Sequence, residues 1–469
     1  MSRSKHVNRV VHPGYTHRDR QMRDSKINVD DLDIRYPAGA ARAWLAWLMP
    51  AIFFLYEFMI RVIPAVLEKP LQQEFEADAS QVGLSMSFYY YAYGPMQLVV
   101  GILLDRFGAR KPLSIAALVC GLGAVAFGLS GSISGLAFGR FLMGFGSAFA
   151  YVGTVYIATI WFPRRRIALI SGITISLGML GAITAESTLQ FLVDATRWQN
   201  MMFGFGAAGV LLGVMLFMVV PRRPSWFHED IMASHASCNV ERPGALACIR
   251  EVFTNRQTIV LGLITGLIYL PLGTFAALWG FRYLNTVLHV SQEASGAMVS
   301  MIFVGLALGG PAVGWLSDRL GRRKPILVVG SLLGIVATCT LLLLQPGHPV
   351  ILMVNLFLLG LVVGVLVVAF PMAMDQNPCF ARGTALTFVN LTQMVFAGIG
   401  QWVVGVLLDL GAGRGDGSHT RAAAEDAFNS GDFRTAFLIL PIAMFVAFLL
   451  TFLVREATPV DDAGVPEVP

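Results

Sequence analysis

GILLDRFGARKP at residues 101–112 and GWLSDRLGRRKP at residues 314–325 decide how the rest of this 469-residue chain is read. Eight of the twelve positions are identical, each pair offset by 213: Gly101/Gly314, Leu103/Leu316, Asp105/Asp318, Arg106/Arg319, Gly108/Gly321, Arg110/Arg323, Lys111/Lys324 and Pro112/Pro325. Each copy follows one long apolar run and precedes another. Two copies in equivalent surroundings imply a duplicated unit, and parallel repeats of this kind build transporters whose site lies between the halves.

Composition agrees. The chain is 55% hydrophobic and 13% charged, whereas a soluble domain carries about 25% charged residues. Lipid must be the solvent for most of it. Apolar runs long enough to cross a bilayer are expected at 42–64, 82–104, 112–131, 134–161, 167–190 and 199–220. A second set is expected at 257–282, 295–317, 325–344, 349–374, 383–410 and 433–454. The fold class is therefore an all-α membrane protein, with twelve transmembrane helices in two pseudo-symmetric six-helix bundles, 42–220 and 257–454. An N-terminal tail (1–41), a central loop (221–256) and a C-terminal tail (455–469) complete it.

Twenty-six of the 34 lysines and arginines fall in the tails and the loops on the side of the repeated motif, against six on the other side. Positive residues favour the cytoplasm, so both termini and the central loop are expected there, in a cell inner membrane. The same distribution explains the net charge of +5 as topology, and no nucleic-acid partner is expected. The first 41 residues show no short apolar core followed by a cleavage site, so the first helix should insert as an uncleaved anchor. The five cysteines form no CxxC or Cys/His spacing, and no metal and no cofactor is expected. A phosphate-binding loop of the Walker type is absent from the sequence, which argues against a primary pump. Prolines 50, 95, 271, 311, 371 and 441 fall inside the expected helices, where neighbouring helices can re-satisfy the freed backbone groups.

In the repeat, Gly101 and Gly314 allow another helix to come close. Asp105 and Asp318 stand where a helix runs out into water. They can pair with Arg106, Arg110, Arg319 and Arg323, or with the N-terminus of a helix from the other half. Gly108 and Gly321 permit a tight turn. A solvated basic loop accounts for the arginines but not for the glycines and aspartates, so the segment reads as a conformational latch.

Gly-x-x-x-Asp-Arg-x-Gly-x-Arg-Lys resembles the loop 2–3 signature of the major facilitator superfamily, here in both halves. The resemblance covers about residues 42–455 and implies alternating access without enzymatic activity. Arg140-Phe-Leu-Met-Gly144-Phe-Gly146 on the fourth helix is similar to the family's Arg-x-x-x-Gly-x-Gly, which implies a part in proton coupling. Gly172, Gly178 and Gly181 on the fifth helix resemble the glycine framework of drug–proton antiporters. The position after the central glycine is Met179, however, where those antiporters carry proline. Tyr56-Glu57-Phe58-Met59-Ile60-Arg61, together with Trp161-Phe162-Pro163-Arg164-Arg165-Arg166, is similar to the organic-anion symporter branch. Ile60 and Ser147 occupy places where that branch usually carries acids.

An ionisable side chain at mid-helix costs about 2.5–3.5 kcal/mol on insertion scales and so marks a partner or a task. The candidates are Glu57, Arg61, Arg140 and Glu186. Glu57 and Arg61 are four apart and share a face. One reading has Arg61 meeting an anionic group of the substrate while Glu57, Arg140 or Glu186 serves proton coupling. The other has Glu57 and Arg61 neutralising each other, with Arg140 bonding carbonyls of the first helix. Tyr89, Tyr93, Gln97, Tyr269, Asn390 and Gln393 are the further candidates for substrate contacts. Function is expected to be proton-coupled uptake of a small polar or anionic solute by a monomer in the lipid bilayer. A dipeptide or other nutrient porter, a drug–proton antiporter and a non-transporting membrane sensor are the alternatives.

Overall fold

The computed structural model describes residues 41–162, 164–221, 244–343, 349–413 and 428–456. Most of both tails and of the 221–256 loop lies outside those residues, as does the side chain of Asp105. Among the described residues, the first half contains α1 (Ala41–Val62), α2 (Ala79–Phe107), α3 (Arg110–Gly128), α4 (Ile133–Trp161), α5 (Arg164–Ala195) and α6 (Trp198–Val219). The second contains α7 (Arg256–Leu288), α8 (Gln292–Leu320), α9 (Lys324–Leu343), α10 (Pro349–Asp375), α11 (Arg382–Gly411) and α12 (Ser430–Thr451).

Eleven of these helices are long and apolar enough to cross a membrane. The exception is α2, whose 29 residues are long enough but include Tyr89, Tyr90, Tyr91, Tyr93 and Gln97. Its polarity follows from its place, since α2 packs along α11 and α5 along α8, so that both seams join one half to the other. Elsewhere the apolar surface faces outward. Leu211, Phe217 and Met218 on α6 are exposed, as are Val329, Leu333 and Val336 on α9, an arrangement that suits lipid and not water.

Three local features differ from the expected boundaries. A short helix, Pro64–Phe75, fills the link between α1 and α2, started by a proline at its first turn. Another, Ala245–Thr254, lies within the segment read as the central loop. Helix α7 runs on past 282 to Leu288, because Arg282 is neutralised by Glu68 of the first short helix. Within α7, Pro271–Trp279 is wound as a π-helix. The neighbouring helix supports it: Gln401 Nε2 donates to the Gly273 carbonyl at 2.9 Å, and Trp279 Nε1 donates to the Gln401 carbonyl at 3.0 Å.

The two sides of the molecule differ. On the side opposite the repeated motifs, here the far side, both seams are shut. A Cβ at Gly83 or Gly405 would run into the carbonyl oxygen of Gln401 or Ala79 across the α2–α11 seam. At Gly296 of α8 it would overlap the carbonyl oxygen of Glu186 on α5. Ser87 Oγ donates to the Gly398 carbonyl at 2.6 Å. On the motif side, a Cβ at Gly101, Gly314 or Gly383 would meet no atom within 4 Å. The close approach expected at Gly101 and Gly314 is thus not made in this conformation, in which the halves part on that side. At Gly108 (φ 71°) and Gly321 (φ 62°) the backbone enters the left-handed region that the turn after each Asp-Arg pair requires.

Candidate functional site

The π-segment of α7 and the tyrosine-rich stretch of α2 meet α1 where the halves join. Arg61, 5% exposed, stands at that point. Its guanidinium pairs with Glu57 one turn back, Nε donating to Oε1 at 2.9 Å. Nη1 donates to the hydroxyl of Tyr269 on α7, in the other half, at 3.3 Å. Tyr89 donates its hydroxyl to the same Glu57 oxygen. The Phe58 ring lies 4.4 Å and the Tyr93 ring 5.0 Å from the guanidinium carbon, distances at which an aromatic face attracts a cation.

Arg140 of α4 lies behind this pair and has a different set of partners. Its Nη1 donates to the Ile60 carbonyl at 2.8 Å, and two longer bonds at 3.5 Å reach the carbonyls of Met86 and Arg61. The Tyr89 ring lies 4.5 Å from its guanidinium carbon. Gly144, one turn further along α4, is the place where the α2 backbone comes against α4, since a Cβ there would overlap the Tyr89 carbonyl. That contact fixes Tyr89 between the two arginines. The cluster therefore holds two guanidinium groups and one carboxylate. Glu57 Oε2, the Tyr90 hydroxyl and Gln393 Nε2 are buried without a hydrogen-bond partner among the described residues.

The expected site residues separate into groups. Arg61, Glu57, Tyr89, Tyr93, Tyr269 and Arg140 come together. Gln393 is buried on α11 and Asn390 is partly exposed on the same helix. Gln97 lies apart, donating to the Ala148 carbonyl at 3.1 Å within the first half. Glu186 is also apart, buried on α5 at the far-side seam.

The motif residues bond within their own halves. Arg110 donates to the Phe217 carbonyl at 2.6 Å and stacks on that ring. Arg323 pairs with Asp375 of α10. Arg106 and Arg319 lie over the rings of Phe107 and Trp315, and Asp318 is exposed.

Two far-side contacts between the halves were not anticipated from sequence. Arg282 of α7 donates to Glu68 and Gln72 of the first short helix, both at 2.6 Å. Asp409, near the end of α11, accepts from the first backbone N–H groups of α2, Ala79 at 3.0 Å and Ser80 at 2.8 Å. A carboxylate there meets both orphan donors and the positive end of the helix dipole. The signal that could have found Asp409 is in the chain: Gly405-Val-Leu-Leu-Asp409 repeats Gly101-Ile-Leu-Leu-Asp105.

Comparison with known proteins places this geometry. The family model described as Major Facilitator Superfamily matches residues 47–283 and 261–469. The "Probable sulfoacetate transporter SauU" of Cupriavidus necator is 28% identical over 159 residues, 34% of this chain and 37% of that protein. The match thus spans little more than a third of that relative. The "Membrane sensor protein UhpC" of Escherichia coli is 23% identical over 81% of this chain and 88% of its own length. Among solved structures, a bacterial homologue of the human lysosomal transporter Spinster, in an inward-facing and unoccupied conformation, superposes with a TM-score of 0.71. It is 16% identical, over 89% of this chain and 97% of that one.

Proposed function

The chain belongs to the major facilitator superfamily of membrane transporters, and we propose that it is a proton-coupled carrier taking up a small organic anion by alternating access. The observation that carries this reading is the charge count at the junction of the halves. Two buried arginines face one carboxylate, and Arg61 bridges to Tyr269 of the opposite half. An anion that takes the place of a protonated Glu57 leaves the cluster's net charge as it was, so exchange at Arg61 adds no uncompensated buried charge, and an arginine fork suits carboxylate, sulfonate or phosphate oxygens. The sulfoacetate transporter among the relatives supports an anionic substrate.

Coupling follows from competition for Arg61. While Glu57 is ionised it occupies the guanidinium. A proton on Glu57 frees Arg61 for the substrate, so proton and anion bind together. Tyr90 and Gln393, buried with unpartnered polar atoms, are our candidates for binding the rest of the solute. The far-side-shut, motif-side-open arrangement is the inward-facing state if the motif side is cytoplasmic. Reporter fusions after residue 456 and within 222–243 test that assignment. Both should read cytoplasmic, and an external reading at either overturns the orientation.

Thermal-shift screening of the purified protein against carboxylates, sulfonates, phosphates, dipeptides and cationic drugs tests the substrate class. Stabilisation by anions alone is expected; stabilisation by cationic drugs alone would overturn it. The match to UhpC favours one rival, a sensor that binds the anion without moving it.

A further inference from the structure

Both carboxyl oxygens of Glu186 are buried without a hydrogen-bond partner among the described residues, and the residue is 1% exposed. Its backbone carbonyl is the atom against which Gly296 of α8 packs, with Phe281 of α7 against the same glycine. One turn earlier, Ser300 Oγ of α8 reaches the Ile183 carbonyl at 3.5 Å. Glu186 therefore sits in the wall of the α5–α8 seam, on the side that is shut.

Among the described side chains, the charged groups of the neighbouring first-half elements are engaged elsewhere or exposed. Glu57 and Arg61 of α1 hold each other, and Arg140 of α4 donates to backbone carbonyls. Glu68 of the short helix pairs with Arg282 of α7, while Lys69 is exposed. Helix α6 carries no charged residue. On α8 the charged residues are Glu293, near its start, and Asp318 and Arg319, exposed at its motif-side end; the contacts across the seam to Glu186 and Ile183 are made by Gly296 and Ser300.

We propose that Glu186 is a proton-binding site that must be filled before the far-side seam can close, and that it fills and empties from the far-side solution. Sealing an ionised carboxylate into this wall, with no cation paired to it among the described residues, is strongly unfavourable, whereas the neutral acid can be enclosed. Opening the seam returns the carboxyl to water, where a carboxyl group is ionised at neutral pH. One proton is thus taken up from the far side on each closure and returned on each opening. The closed-to-open ratio must then fall as far-side pH rises, by at most about tenfold per pH unit. This role is separate from that of Glu57. It rests on the alternation of the two halves and is independent of the substrate's identity.

The test uses the full chain in nanodiscs, without substrate, carrying spin labels at the far-side ends of α5 and α8. In the wild type, the closed-to-open ratio should drop severalfold per pH unit between about pH 6 and pH 8. Glu186→Gln should stay closed with no pH dependence, and Glu186→Asp should keep the slope. A wild-type ratio that does not change with pH would overturn the proposal even if the variants fail to fold. So would a Glu186→Gln protein with the wild-type slope. Neither outcome touches the anion site, which is read by ligand binding.

Discussion

Asp409→Ala opens the far side. The substitution removes two charge-assisted bonds to the first N–H groups of α2 and the charge that complements that helix's dipole. Such bonds contribute about 1.5–3 kcal/mol, and the dipole adds a few tenths more. Water reaching the freed N–H groups offsets part of this, and a net loss of about 2 kcal/mol changes the balance between conformations roughly thirtyfold. Distances between labels across the α2–α11 seam should report that shift toward the far-side-open form. Asp105 ends the matching Gly-x-Leu-Leu-Asp stretch at the other end of α2. By the same physics, we propose, it would cap the N-terminus of α11, near Arg382 and Gly383, once the motif side closes. Asp105→Asn should therefore shift the balance the opposite way and cut transport sharply, with insertion and yield intact. The double variant should return toward the wild-type ratio. Shifts in the same direction, or wild-type uptake by Asp105→Asn, would remove the paired-latch account.

Arg61→Lys separates binding from structure at α1. Lysine keeps the charge beside Glu57 but loses the planar fork. The variant should fold normally and bind the anion at least about tenfold more weakly, the equivalent of 1.4 kcal/mol. Glu57→Gln copies the protonated state and leaves Arg61 free. It should bind the anion equally well at every pH and lose its dependence on a proton gradient. In the wild type, affinity should fall as pH rises, because ionised Glu57 takes Arg61 back. Unchanged affinity in Arg61→Lys, with thermal stability lost in both variants, would assign the pair to structure.

Much of this architecture was legible because lipid imposes simple rules. Apolar length and the side preference of lysine and arginine located the helices, and one repeated segment divided them into halves. What periodicity could not deliver was the contact between halves. Which face of α2 meets α11 depends on small residues such as Gly83 and Gly405, whose role shows only when a carbonyl is found against them. Glu57 and Arg61 could be paired from their spacing. The bridge to Tyr269 could not, since it joins residues 208 positions apart. Gln97 looked like a cavity residue because polar side chains are scarce in membrane helices, yet it ties α2 to α4 through the Ala148 carbonyl. Arg282 closes the expected 257–282 run, and nothing in its own segment revealed that Glu68 would hold it and let the helix run on.

Uptake by proteoliposomes containing only this protein tests the central claim most directly. The anion that stabilises the protein in the thermal screen is supplied outside, with the outer solution more acidic than the lumen. Accumulation above the external concentration is predicted, abolished by a protonophore and slowed severalfold or more in Arg61→Lys at an anion concentration below the wild-type Kd. Binding without accumulation would contradict the account and assign the chain to sensing.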